Sequence, residues 1–304
     1  MRSVASVTSP RPGRAPELAL GDGVVELSVA ARPGPFLKWA GGKRRLLRHL
    51  LPYVPARIEN YYEPFVGGGA MFFAIHDRVA NRSRLSDLNE ELVNTWVVVR
   101  DSPYELLEKL AELRTKDSKE FYYSMRAGPS SPDPIDRAAW FVYLNQTAWN
   151  GLWRVNRRGE FNVPWGARPF RGMTAKQLLG LRVALSGADV AIEDFRDALV
   201  TAKAGDFVYL DPPYLPLSDT SKFFFYTERR FRAPDLCALA EACEDLTARG
   251  IAWVLSNRDT PLVRELFASA DIVPLTTRRS VAAQNRRDVE AVASPEVIVI
   301  GRTR

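Results

Sequence analysis

Short apolar runs bounded by glycine, proline and polar turns recur along this chain, and they alternate with longer stretches of helical spacing. Phe207-Val208-Tyr209-Leu210 reads as a buried strand. Apolar runs at 189–192, 251–255, 272–277 and 297–300 predict further strands, and 83–86 predicts a short one. Residues 60–73 read as strand, glycine-rich turn and helix, which brings the expected strands to seven. Helical periodicity predicts helices over 44–51, 104–110, 138–144 and 261–270. Another runs from Pro234, favoured in a first turn, to Gly250, favoured just past a helix end. From about 94 to 172 the pattern is helical with no obvious sheet strand, so this stretch reads as an insertion between two strands. The expected fold is α/β: a Rossmann-like, mostly parallel seven-stranded sheet flanked by helices, with an inserted helical domain. Residues 1–33 read as a disordered leader, 34–93 and 173–304 as the main body, and 94–172 as the insertion.

Composition narrows the class. The 304 residues are 46% hydrophobic and 26% charged, ordinary for a soluble globular protein and enough for a sizeable core. Lys and Arg exceed Asp and Glu by 42 to 36, a mild bias that suits a polyanionic partner. Cys237 and Cys243 lie six apart in one predicted helix and give no disulfide or zinc framework, which fits a reducing cytoplasm. His49 and His76 are the only histidines, so a multi-histidine metal site is not expected. No apolar run approaches the ~20 residues needed to span a bilayer, and the leader lacks a signal-peptide core.

The candidate chemistry centres on Asp211-Pro212-Pro213-Tyr214, at the end of the 207–210 strand. Open α/β sheets bind ligands at such strand ends. An ionised Asp211 only accepts hydrogen bonds, and the two prolines offer carbonyls without a competing N–H on a chain of fixed φ. Two acceptors, the Asp211 carboxylate and the Pro212 carbonyl, can draw an aromatic amino nitrogen towards tetrahedral geometry and free its lone pair. Tyr214 would stack on the ring of a base flipped from its duplex. The competing reading is a strand that simply ends in a proline turn.

Gly67, Gly68 and Gly69 let a ligand approach the backbone closely, with Phe65 beside them. Asp87, twenty residues beyond Gly67, ends the next strand where an acidic side chain takes ribose hydroxyls. The spacing differs from the phosphate-binding GxGxxG pattern, which favours a nucleoside cofactor without a pyrophosphate such as S-adenosylmethionine. Asp87 also reads as a helix N-cap. Lys43, after a Gly-Gly turn, can meet a carboxylate or phosphate, while Trp39 also reads as core. Asp194 and Phe195 fall in a loop that could meet the adenine ring of such a cofactor.

Residues 145–172 carry Arg154, Arg157, Arg158, Arg168 and Arg171 against a single acid, Glu160, together with Trp149, Trp153 and Trp165. Arginines, amides and flat aromatics serve phosphate contact, base-edge reading and stacking, and the alternative is a solvated basic face over buried tryptophans. Arg278, Arg279, Arg286 and Arg287 form either a phosphate-contacting hairpin or a solvated turn, and residues 217–223 read as a polar loop over the substrate.

With these residues assembled, the chain resembles the Dam family of DNA adenine methyltransferases, the D12 class. The matching segments are Phe36-Leu37-Lys38-Trp39-Ala40-Gly41-Gly42-Lys43, Glu63-Pro64-Phe65-Val66-Gly67-Gly68-Gly69, Asn150-Gly151-Leu152 with Arg154, Arg158 to Pro164, and Asp211 to Leu217. Ser256-Asn257 with Asp259-Thr260, and Arg279-Ser280, also fit. The resemblance implies that S-adenosylmethionine is the cofactor and that Trp39, Lys43, Phe65, Gly67, Asp87 and Asp211 line its pocket. It implies Asp211, Pro212, Pro213 and Tyr214 as the catalytic motif and 94–172 as the target-recognition domain. There, Arg154 would read a guanine and Trp149 would enter the base stack, with Asn150, Leu152 and Pro164 beside them. Lys38 and Arg279 would contact DNA. It further implies double-stranded DNA as substrate, with GATC the default target, and a cytoplasmic, nucleoid-associated monomer with a cognate restriction endonuclease as a possible partner. Gln146-Thr147-Ala148 and Ala167-Arg168-Pro169 depart from the best-known members. An RNA base methyltransferase and a catalytically silent DNA-binding regulator are the alternatives.

Overall fold

The computed structural model describes residues 19–20, 23–24, 33–156, 158–215, 231–278 and 293–301. Most of the 1–33 leader, the 217–223 loop, and Arg157, Arg279, Arg286 and Arg287 lie outside the described residues.

One mixed sheet is built from β1 (Tyr61–Glu63), β2 (Ser83–Asp87), β3 (Ala188–Ile192), β4 (Phe207–Leu210), β5 (Ala252–Arg258), β6 (Asp271–Arg278) and β7 (Ala293–Ile300). Their spatial order is β3-β2-β1-β4-β5-β7-β6. The first five run parallel, and β7 is antiparallel to both its neighbours. The chain winds outward from β1 to β3, then returns to lay β4 against β1 and winds the other way. The strand order therefore reverses between β1 and β4, the crevice where open α/β sheets take ligands.

The continuous apolar run of β4 is explained by burial on both faces. Phe207 and Tyr209 enter one core with Tyr61 and Leu85, while Val208 and Leu210 enter a second with Tyr62 and Leu255. The first core is covered by α1 (Leu47–Leu50), α2 (Ala70–Ile75), α3 (Glu90–Asp101) and α7 (Ala175–Leu185). The second is covered by α8 (Phe195–Ala198), α9 (Ala233–Ala248) and α10 (Pro261–Leu266). The helix expected over 44–51 is instead one α turn between two 3-10 turns. Pro52 has no N–H to extend the α ladder.

Between α3 and α7 lie α4 (Pro103–Lys116), α5 (Lys119–Arg126) and α6 (Pro134–Thr147). Helix α3 runs unbroken through residue 94 and packs on α6 as well as on β2 and β3. The boundary expected at 93/94 thus falls inside a helix that belongs to the sheet layer. Phe141, Tyr143, Trp153 and Phe161 join the same apolar cluster as the sheet, so this segment shares its core with the body. Residues 148–174 are mostly turns and short bridges rather than helix, with pairings Ala148↔Trp165 and Val155↔Phe161. Gly151, Gly159 and Gly172 there have positive φ, and Pro164 and Pro169 lack donors, all of which oppose a helix.

Candidate active site

The carboxyl ends of β2, β1 and β4 bring Asp87, Glu63 and Asp211 to one edge of the sheet. Lys43 reaches Asp211 from the Gly41-Gly42 turn: Nζ lies 2.6 Å from Asp211 Oδ1, with only 6% of its side chain exposed. Lys43 Nζ also donates to the Gly41 carbonyl at 2.9 Å and sits 4.9 Å from the centre of the Tyr214 ring. On the β5 side, Ser256 Oγ donates to Asp211 Oδ1 at 3.1 Å and pairs with the Tyr209 hydroxyl at 2.9 Å. Pro212 is buried and Pro213 exposed, so the turn points its second proline outward.

Burial dominates the electrostatics. It raises the Asp211 carboxyl above the ordinary range, and Lys43 and Ser256 oppose the rise. Burial disfavours the Lys43 ammonium, but the Asp211 charge outweighs this and raises its pKa. Burial pushes the Tyr214 phenol up to about 12, so it stays neutral. Glu63, 2% exposed, is pushed up to about 8 by burial, against hydrogen bonds from the Tyr61 hydroxyl at 2.8 Å and the Phe72 N–H at 3.2 Å. It braces the strand-to-helix turn through the Phe72 N–H, and burial favours its protonated form.

The glycine turn is held tightly. Gly67 has φ +46, and a Cβ there would fall 2.5 Å from Trp39 Cδ1. Gly69 has φ +64, and a Cβ there would fall 2.3 Å from the Trp96 ring. Trp96 Nε1 donates to the Gly67 carbonyl at 3.1 Å, while Gly67 N–H donates to Asp87 Oδ2 at 3.2 Å. Asp87 Oδ1 accepts from Asn89 N–H at 3.0 Å, and Asn89 itself caps α3 through Leu92 N–H at 2.9 Å. The N-cap read for Asp87 therefore belongs to Asn89, two residues on, which leaves Asp87 at the strand end. Burial pushes Asp87 up to about 6. Asp194 and Phe195 are not in a loop: Asp194 caps α8 and Phe195 is its first residue, 5.6 Å from the Phe65 ring.

The residues expected to face DNA gather at a second place. Lys38 N–H donates to Asn145 Oδ1 at 2.8 Å, and Asn145 Nδ2 returns a bond to the Lys38 carbonyl at 2.7 Å. The Lys38 stem lies over Gly151, where a Cβ would come within 2.4 Å of Lys38 Cδ. Asn150 and Gly151 both take positive φ, at 56° and 64°, turning the chain so that Trp149 is 40% exposed. Trp149 N–H donates to the Pro164 carbonyl at 2.9 Å. Arg154 is steered by Asn162, through Nε to Oδ1 at 2.6 Å and Nη2 to the carbonyl at 3.1 Å. Leu152 packs part-buried against the core. Of the three tryptophans of this segment only Trp149 is exposed: Trp153 is buried among Trp140, Phe141 and Phe161, and Trp165 is part-buried. Gln146 spends its amide on the Gly172 carbonyl and the Arg171 N–H, which braces the end of this segment.

The chain that folds into this site matches the family model of D12 class N6 adenine-specific DNA methyltransferases across residues 39–281. The chain belongs to this class. Its relatives include the Type II methyltransferase M1.LlaDCHI of Lactococcus lactis subsp. cremoris, 35% identical over 259 residues that cover 83% of this chain and 90% of that protein. The Type II methyltransferase M.MjaIII of Methanocaldococcus jannaschii is 35% identical over 266 residues, covering 81% and 92%. The DNA adenine methylase of Escherichia coli K12 is 36% identical over 251 residues, covering 82% and 89%.

As a D12 methyltransferase the protein methylates adenine in DNA, with S-adenosylmethionine as methyl donor. The site fits that donor. Its chemistry suits the donor's groups: Asp87 is a carboxylate at a strand end able to accept from a hydroxyl, and Lys43 with Asp211 offers one charge of each sign. Among the described residues no group of three or more His, Cys, Asp or Glu is placed to hold a metal, and no described helix is long and apolar enough to cross a membrane.

The motif residues Asp211, Lys43, Asp87 and Gly67 were legible in the sequence, and the structure joins them in two pairs, Lys43 with Asp211 and Gly67 with Asp87. Glu63, Ser256, Arg258 and Glu296 were not singled out for chemistry. A partial signal was available: Glu63 and Arg258 close their strands, while Ser256 and Glu296 are polar residues set against the apolar runs 251–255 and 297–300, and all four are buried or half-buried. Arg279 lies outside the described residues.

Proposed function

We propose that this methyltransferase acts on one adenine within a short duplex site, GATC being the first candidate, after flipping that base into the crevice beside Asp211. The Lys43–Asp211–Ser256 cluster carries the reading, because it fixes one carboxylate oxygen and leaves the other to a substrate. Asp211 Oδ2 and the Pro212 carbonyl then accept the two amino N–H groups of adenine. The nitrogen loses conjugation with its ring and its lone pair is aimed across the crevice. Tyr214, neutral and flanked by cations, receives the face of the base. Bound S-adenosylmethionine supplies an electrophilic methyl group on a sulfonium. Trp39, Phe65 and Gly67 would enclose its nucleoside and Asp87 would take the ribose hydroxyls, with Phe195 packed against Phe65 and Asp194 at the same helix start. After transfer the alkylated amine is strongly acidic, and its proton passes to Asp211 or water.

In this reading residues after α3 and before α7 form the target-recognition segment. Arg154 reads a guanine, Trp149 enters the base stack, Asn150, Leu152 and Pro164 shape the turn behind it, and Lys38 contacts the duplex next to them. Arg279 adds a DNA contact. Burial and the nearby Arg168 charge lower the Lys38 pKa, so a phosphate between these two cations would relieve both. The protein works as a monomer on nucleoid DNA in the cytoplasm, and two relatives named Type II methyltransferases support a cognate endonuclease.

Purified protein, donor and plasmid DNA, followed by methylation-aware sequencing, tests the site. Adenine marks at one short motif are expected, and marks without a shared motif would remove the recognition segment. D211A should lose at least 100-fold in kcat while still binding donor. Near-normal turnover would refute the role of Asp211.

A further inference from the structure

Arg258 closes β5, two residues beyond Ser256, so the two side chains share a face of the sheet and both point to the catalytic turn. Its guanidinium carbon lies 5.5 Å from the centre of the Tyr214 ring, and Nη1 donates to the Leu215 carbonyl at 3.4 Å. Its register partner across β5 and β7 is Glu296, 6% exposed. The Glu296 charge acts on both Asp211 and Tyr214. Arg258 thus touches the ring and the backbone that follows it at once, from a rigid strand end. A planar fork can cover an aromatic face and bind an adjacent carbonyl together, which a lysine ammonium on a flexible stem cannot.

We propose that Arg258 is a positioning residue that fixes the plane of the Tyr214 ring on which the flipped adenine is received. The proposal rests on the adenine-holding role given to Asp211 and Tyr214 above. Lys43 approaches the same ring but is tied to Asp211 and Gly41, so its place does not depend on Arg258. Loss of Arg258 removes one contact on the ring while the Lys43 bond to its hydroxyl stays, so the ring can turn about that anchor out of the plane that meets the base. The cost falls on the lifetime of the flipped state and on kcat, and donor binding is spared.

The test uses the full chain as wild type, R258M, R258K and Y214A, on a duplex carrying the sequenced target. Permanganate oxidation of the thymine opposite the target adenine reports flipping. Donor affinity by calorimetry, kcat and the melting temperature are measured alongside. R258M is expected to lower thymine reactivity and kcat at least fivefold, with donor Kd within twofold and melting unchanged. R258K is expected to change in the same direction. Wild-type reactivity and kcat in either variant overturn the proposal, as does a donor Kd that weakens in step with kcat. Should R258M fail to fold, R258K alone decides by the same criteria. Wild-type behaviour in Y214A would sink the adenine-holding reading itself, whereas loss in Y214A without loss in R258K sinks only the part given to Arg258.

Discussion

Lys43 and Asp211 meet at 2.6 Å in a site where neither charge is well hydrated. Burying a pair of ions costs desolvation that their attraction does not always repay, so such a pair is a weak source of stability. Its value here is chemical: the ammonium keeps Asp211 an acceptor although burial favours protonation. Around Asp87, among the described residues, only backbone N–H groups oppose the effect of burial, and its carboxyl is pushed up to about 6. Ribose hydroxyls need the ionised form as acceptor, so that form is present above pH 6 and is lost as the pH falls through it. Donor affinity measured between pH 5 and 8 should therefore weaken below about pH 6. D87N should bind more weakly and with a flatter profile, and a wild-type profile without that fall would remove Asp87 from the donor site. Lys43, Asp87 and Asp211 were readable because each stands in a distinctive local pattern, a glycine turn or a strand end. Arg258 and Glu296 were not, since what unites them is the register of an antiparallel pair about forty residues apart in the chain.

At the scale of elements, the turn through Asn150 and Gly151 packs the glycine-rich segment after α6 against the strand-free stretch that carries Lys38. Positive φ at two successive residues is tolerated because the second is glycine and because Lys38 and Asn145 lock across it. An alanine at 151 would keep φ +64 only under strain and would push its Cβ into Lys38 and the Asn145 carbonyl. G151A should destabilise the protein by about 1–3 kcal/mol in denaturant melts. It should also weaken DNA binding while donor binding stays near wild type. Equal loss of both would place this turn in the common core instead. The helices of this region were legible from their 3.6-residue period, but the non-helical stretch after α6 was not. Its glycines and prolines announce turns, and periodicity does not say which residues those turns pair. The fate of the tryptophans shows the same limit: sequence groups Trp149, Trp153 and Trp165, and packing separates one exposed ring from the others.

For the whole molecule, the excess of six positive charges matters through where it is displayed. Exposed Lys38, Arg158, Arg168 and Arg171 lie on or beside the non-helical segment after α6. Each phosphate contact releases a condensed counterion, so log affinity for duplex should fall linearly with log salt. R168A should reduce that slope by about one while leaving sequence preference intact. An unchanged slope in a filter-binding titration would exclude Arg168 from phosphate contact. By itself the sequence determined the seven strands, the helices over 104–110 and 138–144 and the acceptor-rich turn after β4, because hydrophobic period, prolines and glycines act over a few residues. Only the tertiary structure decided that α3 belongs to the sheet layer, that Asn89 rather than Asp87 caps it, and that Lys43, Ser256 and Arg258 converge on Asp211 and Tyr214. Those outcomes depend on strand order and register, which bring together residues that no local pattern connects.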